Sequence, residues 1–280
     1  KIEFNRCGKY IVSTSDKESE KLNTVYENGI ACGVDDLTYD DSLKSKYPFL
    51  RYNESIFSPS TGIFDSHSFI HSLSRDFQSS GGNILLGNET LDVVQSDKGF
   101  EVLVKDKNSN NQFLVISKVL VNSAGLNAVH LANLIDEGNP YEEEYVKGEY
   151  YTYNGKEKLN SLIYPTPTEN SLGLHATIDL GKGIRFGPSA FIVDEIDYSI
   201  SEDQKVNFVG SVQTYWPGIK AEDLTPGYSG IRPKLKGIQD FVVDSGGVSN
   251  SQYVNVLGYA SPGLTSSLAL AIEVSNRLDI

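Results

Sequence analysis

The alternation of apolar and polar residues changes character several times along the chain, and each change predicts an element. Apolar residues fall at Phe69, Ile70, Leu73 and Phe77, on one face of a 3.6-residue period, just after Asp65-Ser66-His67. That spacing predicts a helix, with Asp65 to His67 as its start and Gly81-Gly-Asn83 as its end. Ile84 to Leu86 reads as a short strand. Phe100 to Val104 and Phe113 to Ile116 are apolar-rich runs separated by the polar stretch Asp106 to Gln112, which predicts a hairpin. The run Val119 to Val121 predicts a buried strand. Small residues follow at Ser123, Ala124 and Gly125, and apolar residues then recur at Leu126, Val129, Leu131, Leu134 and Ile135 near helical spacing. The result is a strand, a tight small-residue turn and a helix.

On either side the pattern differs. Residues 7–14 read as a strand, Asp16 to Glu27 as a surface helix, and Ile30 to Leu37 as a strand or loop followed by a short helix that ends before Pro48. Beyond Lys147 the runs become short and closely spaced: Lys147 to Tyr153, Ser161 to Tyr164, Leu172 to Thr177 and Gly183 to Gly187. This predicts an antiparallel sheet. Gln204 to Tyr215 is helix-like and is closed by Trp216-Pro-Gly218. The tail carries Val256-Leu-Gly-Tyr-Ala260, then Ser261-Pro-Gly-Leu-Thr-Ser-Ser267, and then a helix from Leu268 to Leu278. The chain as a whole reads as α/β, in the broad sense that includes α+β.

Length and composition narrow the function classes. At 280 residues there is room for one large or two modest domains. A formal net charge of −13 disfavours nucleic acid and anionic membrane surfaces as partners, because both attract basic patches. No apolar run approaches the roughly 18 residues that predict a membrane span. Two cysteines, Cys7 and Cys32, supply neither a disulfide framework nor a Cys-rich metal site, and they fit a reducing compartment. Asn53-Glu-Ser55 and Asn88-Glu-Thr90 match glycosylation acceptors, a match short enough to arise by chance. The chain opens Lys-Ile-Glu-Phe and contains no methionine, which reads as a piece whose natural beginning is absent, or as a processed start.

Four sets of residues have the chemistry for a site, and each has a plain structural alternative. Ser123-Ala-Gly-Leu126 offers backbone access and the free N–H groups of a helix start, or is an ordinary βα turn. Gly227-Tyr-Ser-Gly-Ile-Arg-Pro-Lys234 contains Arg232, whose forked cation suits a carboxylate or phosphate, or is a surface arginine. In the turn at Ser261 to Ser267, Gly263 and Thr265 stand where a helix N-terminus favours an electron-rich group, or where Thr and Ser merely cap it. His175 lies between Leu174 and Ala176 on an expected strand and can move a proton near neutral pH, or is a satisfied structural histidine. His67 and His71 are four apart on an expected helix but lack a third ligand, so no metal site is expected. His130 reads as structural.

Taken in order, these segments resemble a known family. The carriers are Arg6-Cys-Gly-Lys-Tyr-Ile-Val12, Gly62-Ile-Phe-Asp-Ser-His67, Val121-Asn-Ser-Ala-Gly-Leu126, Lys147-Gly-Glu-Tyr-Tyr151 and Leu162-Ile-Tyr-Pro165. They continue with Gly173-Leu-His175, Arg185-Phe-Gly-Pro188, Tyr215-Trp-Pro-Gly218, Gly230-Ile-Arg-Pro-Lys234 and Ser261 to Ser267. The chain resembles the FAD-dependent oxidoreductases of the D-amino-acid oxidase superfamily, and within it the L-2-hydroxyglutarate dehydrogenase group. The resemblance implies an FAD-binding Rossmann-like domain over 60–136 and 223–280, interleaved with a mostly antiparallel substrate domain over 1–59 and 137–222. It implies FAD near Ala124, Gly125, Gly230, Ile231, Gly263, Leu264 and Thr265. It places His175 and Arg232 at the substrate as catalytic residues, with Tyr150 a further substrate residue.

The implied reaction is oxidation of a small 2-hydroxy acid, L-2-hydroxyglutarate, to the 2-oxo acid. No electron acceptor is named by the sequence, and the eukaryotic members imply a mitochondrial location, with the cytoplasm as the alternative. The family's opening Gly-x-Gly-x-x-Gly fingerprint does not occur, so the FAD domain is expected to be incomplete. With no cysteine after Cys32, a cysteinyl flavin link near the C-terminus is excluded. Two other functions stay open: an amine or amino-acid oxidase on the same scaffold, and a non-catalytic fragment or diverged paralogue.

Overall fold

A computed structural model describes residues 1–96, 98–167, 173–248 and 251–278. In chain order the elements are β1 (Phe4–Asn5), β2 (Lys9–Val12), α1 (Asp16–Ala31), β3 (Thr38–Tyr39), α2 (Leu43–Lys46), β4 (Ser55–Ser58), β5 (Ile63–Phe64) and α3 (Ser66–Ser79). There follow β6 (Asn88–Ser96), β7 (Gly99–Asp106), β8 (Gln112–Ser117), β9 (Val119–Asn122), α4 (Ala128–Ile135) and β10 (Glu143–Tyr153). The remainder is β11 (Leu162–Pro165), β12 (His175–Ile178), β13 (Ile184–Gly187), β14 (Phe191–Val193), α5 (Gln204–Gln213), β15 (Leu224–Leu235), β16 (Val242–Val248), β17 (Ser251–Leu257) and α6 (Gly263–Arg277). They form two compact units, one of residues 1–82, 148–191 and 197–230, the other of 83–147, 192–196 and 231–280.

The first unit is built on a sheet in the order β10-β13-β12-β11-β2-β4-β3, with β14 and β15 also pairing with β10. From β10 through to β3 the pairings are antiparallel except β11 with β2, which run parallel with Leu162 opposite Lys9 and Tyr164 opposite Ile11. The period-two pattern has a direct consequence here. Tyr10, Val12, Ile163, Ala176, Ile178, Ile184 and Phe186 point to one face and join the main core. α5 and the turn after it close that core with Phe208, Val212, Tyr215 and Trp216. On the other face α1 covers the β2–β4 end, where Leu22 packs with Ile11 and Ile56. The intervening residues of that face, Lys9, Tyr164, His175, Thr177 and Arg185, are only half-buried. The helix at Ser66 forms as its sequence predicts, with the Asp65 carboxylate accepting from the Ser68 N–H at 3.0 Å. β1 pairs with β5 and the Asp65 N–H donates to the Glu3 carbonyl, so α3 counts with the N-terminal segment.

In the second unit, β6, β7 and β8 form an antiparallel meander. A second small sheet has the order β16-β17-β9, in which β17 and β9 run parallel and β16 is antiparallel to β17. Leu120 of β9 and Leu134 and Ile135 of α4 pack with the meander residues Val93, Phe100 and Val102. Val254 and Val256 of β17 pack with Leu270 and Val274 of α6.

The structure corrects several sequence-based expectations. Ile84 to Leu86 is not a strand: Leu85 and Leu86 are exposed, and β6 begins only at Asn88. The hairpin is therefore two-thirds of a meander whose first strand, Asn88-Glu-Thr-Leu-Asp, is too polar to read as one. α6 starts five residues earlier than Leu268, because Gly263 to Ser267 satisfy its first turn through bonds such as Ser266 N–H to the Pro262 carbonyl. The twelve-residue β15, which carries Arg232, has no apolar alternation and was not anticipated from the sequence.

Candidate active-site and cofactor-binding residues

In the first unit, the half-buried sheet face collects the residues with usable chemistry. His175 opens β12, and its neighbours Leu174 and Ala176 are buried. The Tyr215 hydroxyl donates to the Leu174 carbonyl at 2.7 Å, so the core holds the backbone just ahead of the histidine. The imidazole lies flat against Tyr164 of β11, ring centroids 3.6 Å apart and planes 5° from parallel. This stack follows from register, since Ile163 faces Ala176 and so Tyr164 neighbours His175 across the strands. On β2, the Lys9 ammonium sits 5.4 Å from the Tyr164 ring centre. Burial pushes the Tyr164 hydroxyl up and the Lys9 ammonium down from their ordinary values. Arg185 of β13 is ion-paired to Asp179 at 2.9 Å and lies over the Tyr228 ring. Tyr150 of β10 stacks on Tyr228, centroids 4.6 Å apart.

In the second unit, β9 and β17 run parallel and so deliver their C-terminal ends to one edge, where α/β sheets place ligands. A buried pair ties those ends together. The Asn122 amide donates to Asn255 Oδ1 at 2.9 Å and to the Ala128 carbonyl at 2.7 Å, and Asn122 Oδ1 accepts from the Ala124 N–H. Asn122→Ala leaves two acceptors and a backbone donor without this partner, and is expected to cost about 1–3 kcal/mol. Thermal or urea unfolding measures this; an unchanged stability would show that the pair is dispensable.

Beside the pair, a cavity of about 360 Å³ is lined by Val121, Ser123, Gly125, Tyr259, Ser267 and Ala271, among others. A second, of about 340 Å³, borders Asn122, Ser123 and Ala124 on the side of Val93 and Val102. Gly125 has φ +59°, and a Cβ built on it would meet no atom within 4 Å. Gly263 is buried, where a Cβ would press on the Tyr259 ring at 3.1 Å, and the Tyr259 hydroxyl donates to the Gly263 carbonyl at 2.6 Å. Leu264 and Thr265 are exposed in the first turn of α6.

The sequence-derived candidates are thus distributed unevenly. One cavity unites Gly125 with Ser123 and Ser267, and the other reaches Ala124. Gly230, Ile231 and Arg232 lie on β15; Gly230 has open space where a Cβ would be, and Arg232 has no ion-pair partner among the described residues. His175 and Tyr150 share the first unit's sheet, separated by β13. His67 and His71 are exposed on α3, and among the described residues no three His, Cys, Asp or Glu side chains cluster as a metal site would need. Sequence reasoning passed over Lys9 and Tyr164. The alternation Lys-Tyr-Ile-Val, with Tyr10 and Val12 inward, was the available signal for Lys9.

Comparisons with known proteins agree with this architecture. The sequence profile described as DAO, FAD dependent oxidoreductase, matches residues 1–277. The chain is 32% identical over 325 residues to the mitochondrial L-2-hydroxyglutarate dehydrogenase of Arabidopsis thaliana, covering 99% of this chain and 67% of that protein. With the L-2-hydroxyglutarate dehydrogenase of Escherichia coli K12 the identity is 23%, covering 99% of this chain and 74% of that protein. The fold is similar to that of the FAD-bound L-alpha-glycerophosphate oxidase of Mycoplasma pneumoniae, with TM-score 0.80 and 20% identity over 98% of this chain and 73% of that one. This chain therefore spans about two-thirds to three-quarters of the length of these relatives, and with nearly all of its residues it belongs to the FAD dependent oxidoreductase family.

Proposed function

We propose that this protein oxidises L-2-hydroxyglutarate to 2-oxoglutarate with FAD as cofactor. The observation that carries the reading is the 32% identity to a dehydrogenase of that name across 99% of the chain. The residues at the end of β9 fit part of such a cofactor. Gly125 leaves an open backbone approach, and the adjoining cavity combines apolar walls with the Ser123 and Ser267 hydroxyls. Its volume is of the size that ligand pockets have. Ala124, Gly125, Gly263, Leu264 and Thr265, with Gly230 and Ile231, are the residues we assign to holding FAD. FAD, when bound, supplies the two-electron acceptor for the hydrogen leaving the substrate α-carbon.

The chain's own residues supply the rest. His175 takes the proton of the substrate hydroxyl, and its flat contact with Tyr164 fixes the plane of the imidazole that does so. Arg232, with a guanidinium unpaired among the described residues, holds a carboxylate in a two-pronged bond. Tyr150 offers a hydroxyl to the substrate. Mitochondrial placement, as in the Arabidopsis relative's name, is part of this proposal, and the electron acceptor is left to experiment. Among the described residues no helix is long and apolar enough to cross a membrane.

The test is to purify the chain with FAD, record its visible flavin bands, and add L-2-hydroxyglutarate without oxygen. Bleaching of the bands with one equivalent of 2-oxoglutarate formed is the expected result. A bound flavin that L-2-hydroxyglutarate leaves oxidised, while a 2-amino acid or amine bleaches it, would move the protein to the amino-acid oxidase class.

A further inference from the structure

On the adjoining strands β2, β11, β12 and β13 the lysine and arginine side chains are Lys9 and Arg185, and Arg185 is neutralised by Asp179 at 2.9 Å. Among the described residues no carboxylate pairs with Lys9, whose single recorded contact of its charge is the Tyr164 ring. Lys9 is half-buried on the same sheet face as His175. A partly desolvated ammonium without a counter-ion is costly to keep and gains from any anion brought to it. We propose that Lys9 is a specificity residue that receives the second carboxylate of a dicarboxylic substrate while His175 receives the hydroxyl. This rests on the reading of the protein as an oxidase of a 2-hydroxy dicarboxylic acid, and it assigns the selection of the dicarboxylate to one residue.

The dimensions support it. Strand order puts β11 between β12 and β2, and the centre of the Tyr164 ring lies 3.6 Å from the imidazole and 5.4 Å from the ammonium, which keeps the two groups close together. The hydroxyl-bearing carbon and the distal carboxyl carbon of 2-hydroxyglutarate are three carbon–carbon bonds apart, about 4 Å when extended. With its two C–O bonds and a hydrogen bond of about 2.8 Å at either end, the extended molecule reaches past that separation, so a bent substrate can touch both groups. A three-carbon 2-hydroxy acid with one carboxylate has nothing to place on Lys9. The pushed-down ammonium agrees with a site whose burial awaits an anion.

The deciding experiment measures binding as well as turnover. Glutarate, a dicarboxylate with no hydroxyl to oxidise, and butyrate, its monocarboxylate counterpart, are titrated calorimetrically into the FAD-supplemented full chain and into Lys9→Met and Lys9→Arg. Methionine keeps the length and apolar packing of the lysine stem and removes the charge, and thermal melting confirms that each variant is folded. Lys9→Met is expected to lower the preference for glutarate over butyrate at least tenfold, and Lys9→Arg to retain most of it. In turnover, the same variant raises KM for L-2-hydroxyglutarate far more than it lowers kcat. An unchanged preference in folded Lys9→Met overturns the proposal, whatever the activity. If glutarate discrimination depends on Lys9 yet L-2-hydroxyglutarate never reduces the flavin, the subsite stands and the assigned reaction fails.

Discussion

His175→Phe is expected to reduce kcat for the oxidation of L-2-hydroxyglutarate by about 10²–10⁴-fold, the usual contribution of a positioned general base. The substitution is chosen for what it keeps. Phenylalanine preserves a flat ring against Tyr164, now 3.6 Å from the imidazole, so the packing between β11 and β12 survives. It removes both ring nitrogens, and with them the acceptor for the hydroxyl proton. Flavin content and melting temperature should therefore stay close to wild type while kcat falls. Wild-type turnover in the flavin-loaded variant would remove His175 from the chemistry and leave the stack as its only role.

The second large effect is on stability. Trp216 is 1% exposed and packs its indole 4.5 Å from Phe49, 5.1 Å from Tyr153 and 5.5 Å from Phe186, ring centre to ring centre. It follows Tyr215, whose hydroxyl holds the Leu174 carbonyl, and Phe186 pairs with Ala176 on β12. Trp216→Ala opens a cavity among three aromatic rings that rigid strands cannot collapse, and should cost about 3–5 kcal/mol. The melting temperature would fall by roughly 6–20 °C at the usual conversion for domains of this size. Because Trp216 is the only tryptophan, its fluorescence follows wild-type unfolding, and circular dichroism serves the variant. A loss below about 1 kcal/mol would mean that the site repacks and that the aromatic cluster is not what holds β12 and β13 in place.

The two effects are linked through one strand. The inward residues of β12 are fixed by the core that Trp216 fills, and the outward residues are His175 and Thr177. A partial loss of the core should therefore weaken catalysis through the position of the imidazole as well as through the folded fraction. Activity in Trp216→Ala at low temperature, corrected for the fraction folded, separates the two contributions.

What the sequence determined by itself was the local and the periodic. The helix at Ser66 was legible because Asp65 caps it and its apolar residues recur every three to four positions. The strand at Val119 was legible for the same reason, although its Val121 is exposed where a buried run was expected, as were its small-residue turn, the β12 alternation around His175 and the residues that carry the family resemblance. Local pattern failed where an element is stabilised by partners far away in the chain. β6 is polar in sequence and exists because β7 pairs with it over its whole length. β15 shows no alternation and forms beside β10, about seventy-five residues before it. The tertiary structure alone decided which side chains meet. Asn122 and Asn255 are 133 positions apart and join only because β9 and β17 run in parallel register. Lys9, Tyr164 and His175 come from three strands whose order in the sheet is not written in any one of them. Periodicity tells a strand which face to bury, but pairing and register are set by the free energy of the whole core, and it is pairing that brought an ammonium, a phenol and an imidazole to one place.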